Sequence, residues 1–277
     1  MDRRLTPATA RVAHVSLRGR VEAAAWTEGQ VMQVALPLVD LLRSPEGARE
    51  RQLAFGEGFV VVDHDRGHAF GFAVKDGYCG WLPQGALRAV VAVTHWVAST
   101  GTHLYPEPKV AARQIGALPM GARVRVVGQV GKWAETEDGF VPLSHLRAVG
   151  DWLEEPVAVA EGFLGTPYLW GGNSRAGVDC SGLVQMAYMA CGIALQGDSD
   201  LQEGVGCAVG ADALQRGDLL FWDGHVAIVV DEARLIHANG FTMSVAYEGT
   251  EACTARIGAA EGPVTARRRI LADARQA

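Results

Sequence analysis

The spacing of apolar residues changes period near Gly150, and that change limits the chain to a mixed architecture assembled from separate parts. Before it, short β-type runs at residues 31–34, 52–55, 59–63, 69–74 and 80–82 alternate with turn residues such as Asp76-Gly77-Tyr78. Several short strands at close spacing predict a small barrel. A weaker copy follows at residues 104–106, 113–115, 122–127, 133–134 and 138–142. In it Arg113-Gln114-Ile115 matches Arg51-Gln52-Leu53, and Asp138-Gly139-Phe140 matches Asp76-Gly77-Tyr78. A repeat of this kind means two similar modules. They are expected over 1–92, including an N-terminal short helix and strand packed on the first barrel, and over 93–149.

Beyond Gly150 the spacing becomes helical. Pro156 suits a first turn, Val157, Ala160, Phe163 and Leu164 follow on one face, and Gly165 with Pro167 marks the stop. A second helix is expected over 180–191, with Leu183, Val184, Ala187 and Tyr188 on one face and Gly192 at its end. Strands then dominate, at 219–222, 225–230, 235–238 and 244–247. Helices first and an antiparallel sheet afterwards define an α+β domain, placed at 150–277.

A net charge of -6 leaves no basic surplus for wrapping a polyanion, so nucleic acid is not an expected partner. No apolar run approaches the ~18 residues needed to span a bilayer, so no membrane partner is expected. The basic start Met1-Asp2-Arg3-Arg4 leads into no unbroken apolar stretch, which is not the pattern of a secretory leader. The chain is therefore expected in the cytoplasm. Its five cysteines, Cys79, Cys180, Cys191, Cys207 and Cys253, are odd in number and lack metal-type spacing. At least one is a free thiol, which fits a reducing compartment. The histidines also lack ligand spacing, so neither metal nor cofactor is expected.

A thiol attacks a carbonyl as thiolate, so a catalytic cysteine needs a neighbouring base and an environment that favours negative charge. Asp179 is a good N-cap, which puts Cys180 in the first turn of its helix, at the positive end of the dipole. His225 opens the apolar run Val226-Ala227-Ile228-Val229-Val230 just after the turn Asp223-Gly224, and His237 lies on the next strand. If Asp231-Glu232-Ala233 is a three-residue loop, His225 faces Asn239 and His237 is its diagonal neighbour, with Cβ atoms about 7 Å apart. An even loop would put the two histidines on opposite faces and leave Asn239 as the orienting residue. Taken singly, each residue has a plainer role: a cysteine in an apolar helix is usually core, and a strand histidine usually structural.

Four blocks occur in order: Gly165-Thr166-Pro167-Tyr168-Leu169-Trp170-Gly171-Gly172; Asp179-Cys180-Ser181-Gly182-Leu183-Val184; Gly217-Asp218-Leu219-Leu220-Phe221 with His225-Val226-Ala227-Ile228; and Ile236-His237-Ala238. Together they resemble the NlpC family of papain-like cysteine peptidases, and residues 31–149 resemble tandem bacterial SH3-like domains. The resemblance implies two small SH3-like β-barrels followed by a papain-like α+β catalytic domain with helices packed on an antiparallel sheet. It implies hydrolysis of the γ-D-glutamyl-diamino acid bond of small cell-wall peptides, in peptidoglycan recycling, by a monomer. Cys180 is implied as nucleophile, His225 as base and His237 as the residue that orients it, with Tyr168 assisting the oxyanion.

Relatives of this layout require a free N-terminal L-Ala. Asp179 and Ser181 match the flanking residues that hold its ammonium, and Glu57 and Tyr78 are the candidates from the first barrel. Plainer roles stand beside these: helix capping for Asp179, a surface carboxylate for Glu57, barrel core for Tyr78, and packing for Trp170 and Trp222, which otherwise line the cleft. Asp218 is read as fixing its turn. Gly197 stands where relatives often carry arginine. An amidase or acyltransferase on the same fold, or a non-catalytic wall-binding protein whose barrels bind glycan or peptide, are the alternative functions.

Overall fold

In the computed structural model, which describes residues 1–271, the β-type runs of the first half become antiparallel strands because alternate residues face a core. The chain divides into two units, Met1–Val149 and Gly150–Ala277. Residues 272–277 of the domain expected to end at 277 lie outside the described residues.

The first unit holds a seven-stranded sheet in the spatial order Arg49–Ala54, Leu38–Leu42, Cys79–Pro83, His68–Ala73, Gly58–Asp65, Gln30–Val34, Leu87–Arg88. Val34, Leu41, Leu53, Phe59 and Leu82 are buried in it. Leu38–Leu42 was not among the expected strands. Its residues are apolar on both faces, so the types do not alternate although their burial does. Asp40 fixes its register by accepting from Arg49 Nε at 2.9 Å and from Gln52 Nε2 at 2.8 Å on the facing strand. The N-terminal segment forms a 3₁₀ turn, Arg3–Leu5, and a strand, Val12–His14, paired in parallel with Ala25–Thr27. Thr9 and Arg11 tie it to Asp63 of the sheet at 2.7 and 2.9 Å.

The remainder of this unit consists of small antiparallel sheets. His95–Val97 runs between Arg123–Val124 and Leu146–Ala148, Gly101–Leu104 pairs with Gly116–Pro119, and Val126–Val130, Trp133–Thr136 and Gly139–Pro142 form a meander. Val97, Leu118, Val124, Ala134, Val141 and Leu146 meet in one core. The expected correspondence of Arg113-Gln114-Ile115 with Arg51-Gln52-Leu53 fails. Arg51 is buried in a strand, whereas Arg113 and Gln114 are exposed in irregular chain. A different pair of segments repeats. Cys79–Pro83, a 3₁₀ turn and Leu87–Arg88 have the same order as Gly139–Pro142, a 3₁₀ turn and Leu146–Ala148.

The second unit opens with α1 (Pro156–Glu161), followed by α2 (Cys180–Ala190) and the single turn α3 (Ser199–Gln202). Strands β1 (Cys207–Ala208), β2 (Leu219–Trp222), β3 (His225–Val229), β4 (Arg234–Asn239) and β5 (Ser244–Gly249) follow, then α4 (Thr250–Ala260) and β6 (Ala266–Arg269). Their spatial order is β1-β6-β2-β3-β4-β5, and every pair is antiparallel. Helix α2 lies against β3 and β4. On the other side, Cys253 and Ile257 of α4 pack with Leu220, Trp222, Ala227, Val229 and Leu235. Both units are richer in strand than in helix.

Candidate active site

Asp179 caps α2 from extended backbone, and every contact of its carboxylate stiffens the segment that carries Cys180. Oδ1 accepts from Gly182 N at 2.6 Å and from Ser181 Oγ at 3.0 Å, while Oδ2 accepts from Gly171 N at 2.8 Å. Asp179 therefore locks the Gly171-Gly172 turn to the helix start, the capping role. Gln202, fully buried, adds a second tie by donating to the carbonyls of Ser181 and Gln196, both at 3.0 Å. The segment containing Gly197 is held to the cysteine helix in this way.

Cys180 is the first residue of α2 and is 7% exposed. Its Sγ lies 4.0 Å from the carbonyl oxygen of Gly224, the residue before His225. The hairpin between β2 and β3 turns in two residues, Asp223 and Gly224, with Trp222 opposite His225. Gly224 has φ +72°, a conformation that favours glycine, and this tight turn puts His225 at the first position of β3, directly after the residue whose carbonyl oxygen lies 4.0 Å from the thiol.

The next hairpin has the three-residue loop Asp231-Glu232-Ala233, closed by Val230 N donating to Arg234 O at 2.9 Å. Ile228 pairs with Ile236 and Val229 with Leu235, so the odd register keeps His225 and His237 on one face. Their rings meet: His225 Nε2 and His237 Nδ1 are 2.8 Å apart, with planes inclined at 68°. His237 is 1% exposed, and its Nε2 is 3.1 Å from Glu248 Oε2 on β5. Asn239 is committed elsewhere, accepting from Thr242 N at 2.8 Å.

Burial pushes His225 down to about 3, and the neighbouring His237 and Arg256 push the same way against Glu248. His237 is lowered to about 4, again chiefly by burial, with Glu248 opposing. Both rings are neutral at neutral pH, so each carries one N–H and one bare nitrogen. Burial raises the Tyr168 phenol well above its ordinary range, and Cys180 and Asp179 add to the rise. It stays a protonated donor next to the sulfur, as an oxyanion partner must.

The other expected site residues are distributed unevenly. Trp170 is 69% exposed, which rules out a core-packing role, while Trp222 is buried with its ring 5.8 Å from that of His225. Asp218 is buried and braces its turn, accepting from Gln215 N and from two nitrogens of Arg269, all at 2.7 Å. In the first unit Glu57 is a buried carboxylate, not the surface one considered for it. It is held by Lys75 Nζ at 2.9 Å and by Ala54 N at 2.9 Å. Tyr78 is 2% exposed, in the core of its barrel. Sequence reasoning missed Glu248 and Arg256. The signal available was alternation in Ser244-Val245-Ala246-Tyr247-Glu248, but the expected strand stopped one residue short.

His237, Glu248 and Cys253 offer three ligand atoms within 4.8 Å of one another. The donor set does not suit a metal ion. Arg256 already neutralises Glu248, donating to Oε1 at 2.9 Å and Oε2 at 2.6 Å, and burial drives the Cys253 thiol up to about 12.

A thiol at a helix start and a histidine pair carried on an antiparallel sheet are the parts that a papain-like cysteine peptidase uses. Residues 165–256 match the NlpC/P60 family and residues 41–87 match the bacterial dipeptidyl-peptidase SH3 domain. The second unit thus carries an NlpC/P60 cysteine-peptidase domain, and the first unit carries an SH3-like domain. It is 41% identical over 87 residues to dipeptidyl-peptidase 6 of Lysinibacillus sphaericus, covering 31% of this chain and 32% of that one. It is 28% identical over 192 residues to the gamma-D-glutamyl-L-lysine dipeptidyl-peptidase of Bacillus cereus, covering 59% and 57%. The chain thus spans less than two thirds of the length of either relative. The crystal structure of an NlpC/P60 family protein from Bacillus cereus shares the fold, with a TM-score of 0.73 at 20% identity, covering 87% of this chain and 100% of that one.

Proposed function

We propose that this chain hydrolyses the γ-D-glutamyl-diamino acid bond of small cell-wall peptides, with Cys180 as nucleophile, His225 as base and His237 as its orienting partner. The observation that carries the reading is the His225–His237 contact of 2.8 Å, which begins one residue past the Gly224 carbonyl that lies 4.0 Å from the helix-start thiol. The relatives' names supply the substrate class: both are dipeptidyl-peptidases, and one acts by name on a gamma-D-glutamyl-L-lysine bond.

In this mechanism the Sγ proton passes to His225 as sulfur bonds the γ-amide carbonyl carbon. The oxyanion forms at the start of α2, where the helix dipole and the Tyr168 hydroxyl oppose its charge. As the C–N bond breaks, His225 gives the proton to the leaving amine. Water then attacks the thioester, His225 takes its proton, and the C–S bond breaks to return the thiol.

The finer parts of the reading have separate support. A free N-terminal L-Ala is held beside Asp179 and Ser181, where a carboxylate flanks the nucleophile. Glu57, paired with Lys75, and Tyr78, in the core of its barrel, are the first unit's candidates for the same clamp. Residues 93–149 form a second SH3-like module, supported by the repeated strand, 3₁₀ turn and Leu-Arg strand. Five free thiols favour a reducing compartment, and with it a monomer acting in cytoplasmic peptide recycling.

The test is turnover of L-Ala-γ-D-Glu-diaminopimelate by the full chain. Cys180→Ala is expected to fold normally and to lose about 10⁵–10⁶-fold in kcat. Residual turnover by that variant at the native rate defeats the assignment. Equal rates on the N-acetylated peptide defeat the amine clamp, and aminolysis products with an added amine identify an acyltransferase instead.

A further inference from the structure

We infer that Glu248, clamped by Arg256, is a positioning residue that decides which ring nitrogen of His225 carries the proton, leaving Nδ1 bare to serve Cys180. The inference rests on the reading of Cys180 and His225 as nucleophile and base.

The placement comes from three adjacent strands. In the register of β4 against β5, Leu235 pairs with Glu248 and His237 with Ala246, so His237 and Glu248 are diagonal neighbours on one face. His225 and His237 stand in the same relation across β3 and β4. The result is a line of contacts that starts one residue past Gly224: His225 Nε2 to His237 Nδ1 at 2.8 Å, then His237 Nε2 to Glu248 Oε2 at 3.1 Å. Arg256 of α4 closes the line with its two bonds to the carboxylate, at 2.9 and 2.6 Å.

Counting protons along this line leaves one arrangement. A neutral imidazole carries a single N–H, and an ionised carboxylate only accepts. Facing Glu248, His237 must hold its proton on Nε2. Its Nδ1 is then a bare acceptor, so the contact with His225 is a donation from His225 Nε2–H. The nitrogen left without a proton is His225 Nδ1, which is what a base for the thiol requires. The opposite assignment sets the lone pair of His237 Nε2 against the carboxylate and puts a proton on His225 Nδ1, where it blocks the base.

Two further features keep the choice strict. His237 is 1% exposed, so water is not at hand to satisfy a misplaced lone pair. Arg256 holds Glu248 ionised, lowering its carboxyl below the ordinary range. The titratable groups around the line are Cys180, His225, His237, Glu248, Cys253 and Arg256. Carboxylate and guanidinium together are electrically balanced, so they orient the histidines without forcing a charge onto them.

Imidazole ¹⁵N spectra of the native full chain at pH 7 test this directly and need no substrate. Both His225 and His237 are expected as Nε2–H tautomers, and an Nδ1–H form on either ring overturns the inference. A chain carrying Glu248→Leu together with Arg256→Leu removes the clamp without stranding a charge. In it kcat is expected to fall about 10–100-fold, with KM changed by less than about twofold and a mixture of tautomers at His237. Native kcat, or a lower kcat with unmixed tautomers, overturns the inference. If that variant does not fold, the native spectrum alone decides. A native protein with the expected tautomers but no turnover of the γ-D-glutamyl peptide defeats the proposed function and leaves the positioning role standing.

Discussion

A histidine kept away from water does without charge, and this chain buries two of them against each other. In the unfolded chain an imidazole titrates near 6.5, while in the folded unit His225 is lowered to about 3 and His237 to about 4. Below pH 6.5 the unfolded state therefore binds more protons than the native one, and stability is lost as pH falls from that point toward 3. Each ring contributes a slope of up to about 1.4 kcal/mol per pH unit. Carboxylates hardly titrate between pH 6.5 and 5, but burial lowers His95 of the first unit as well, so thermal melts of a His95→Asn chain in that window read the pair. The midpoint is expected to drop steadily there, and a flat profile contradicts two neutral buried rings.

Helix α2 shows how an element can be aimed by what its first turn leaves out. A Cβ at Gly182 meets the carbonyl oxygen of Gly172 at 2.5 Å and Asn173 Oδ1 at 2.7 Å. Gly182→Ala therefore pushes the helix start away from the Gly171-Gly172 turn that Asp179 ties to it. The variant is expected to lose about 1–3 kcal/mol in stability and to lower kcat more than the stability loss alone explains; chemical denaturation and peptide turnover check the two halves. This element was legible from sequence, because Asp179, the apolar face and Gly192 all agree on its limits. The β3–β4 hairpin was legible too, since its loop length settles which face each histidine takes. Helix α4 was not, for a physical reason: only Cys253 and Ile257 are buried in it, so its apolar stripe is a single pair at i and i+4. With α4 went Arg256, and with the end of β5 went Glu248. The barrel repeat was sensed but misaligned at Arg113, because three similar residues there carried less structural meaning than a Leu-Arg strand after a 3₁₀ turn.

Each of the two units has its own buried residues and can be perturbed by itself. Glu57→Gln leaves Lys75 without its charge partner inside the first unit, where both side chains are about nine-tenths covered. A loss of about 3 kcal/mol is expected, read by hydrogen exchange as faster opening at Val34, Leu53 and Ala54. Amides of β3 are expected to keep their protection, and equal loosening there contradicts separate cores. Within the second unit, chain order and spatial order part company. Strand β6 comes last in sequence among the described strands, yet it lies between β1 and β2, and its Arg269 grips Asp218 below the turn that leads to β2. During synthesis β2 therefore waits with one side unpaired, and β1 has no partner at all, until β6 has left the ribosome. The histidine hairpin thus completes its support only after β6 has been made, which makes the nascent unit a late-closing one with an open flank for chaperones or stray strands to meet.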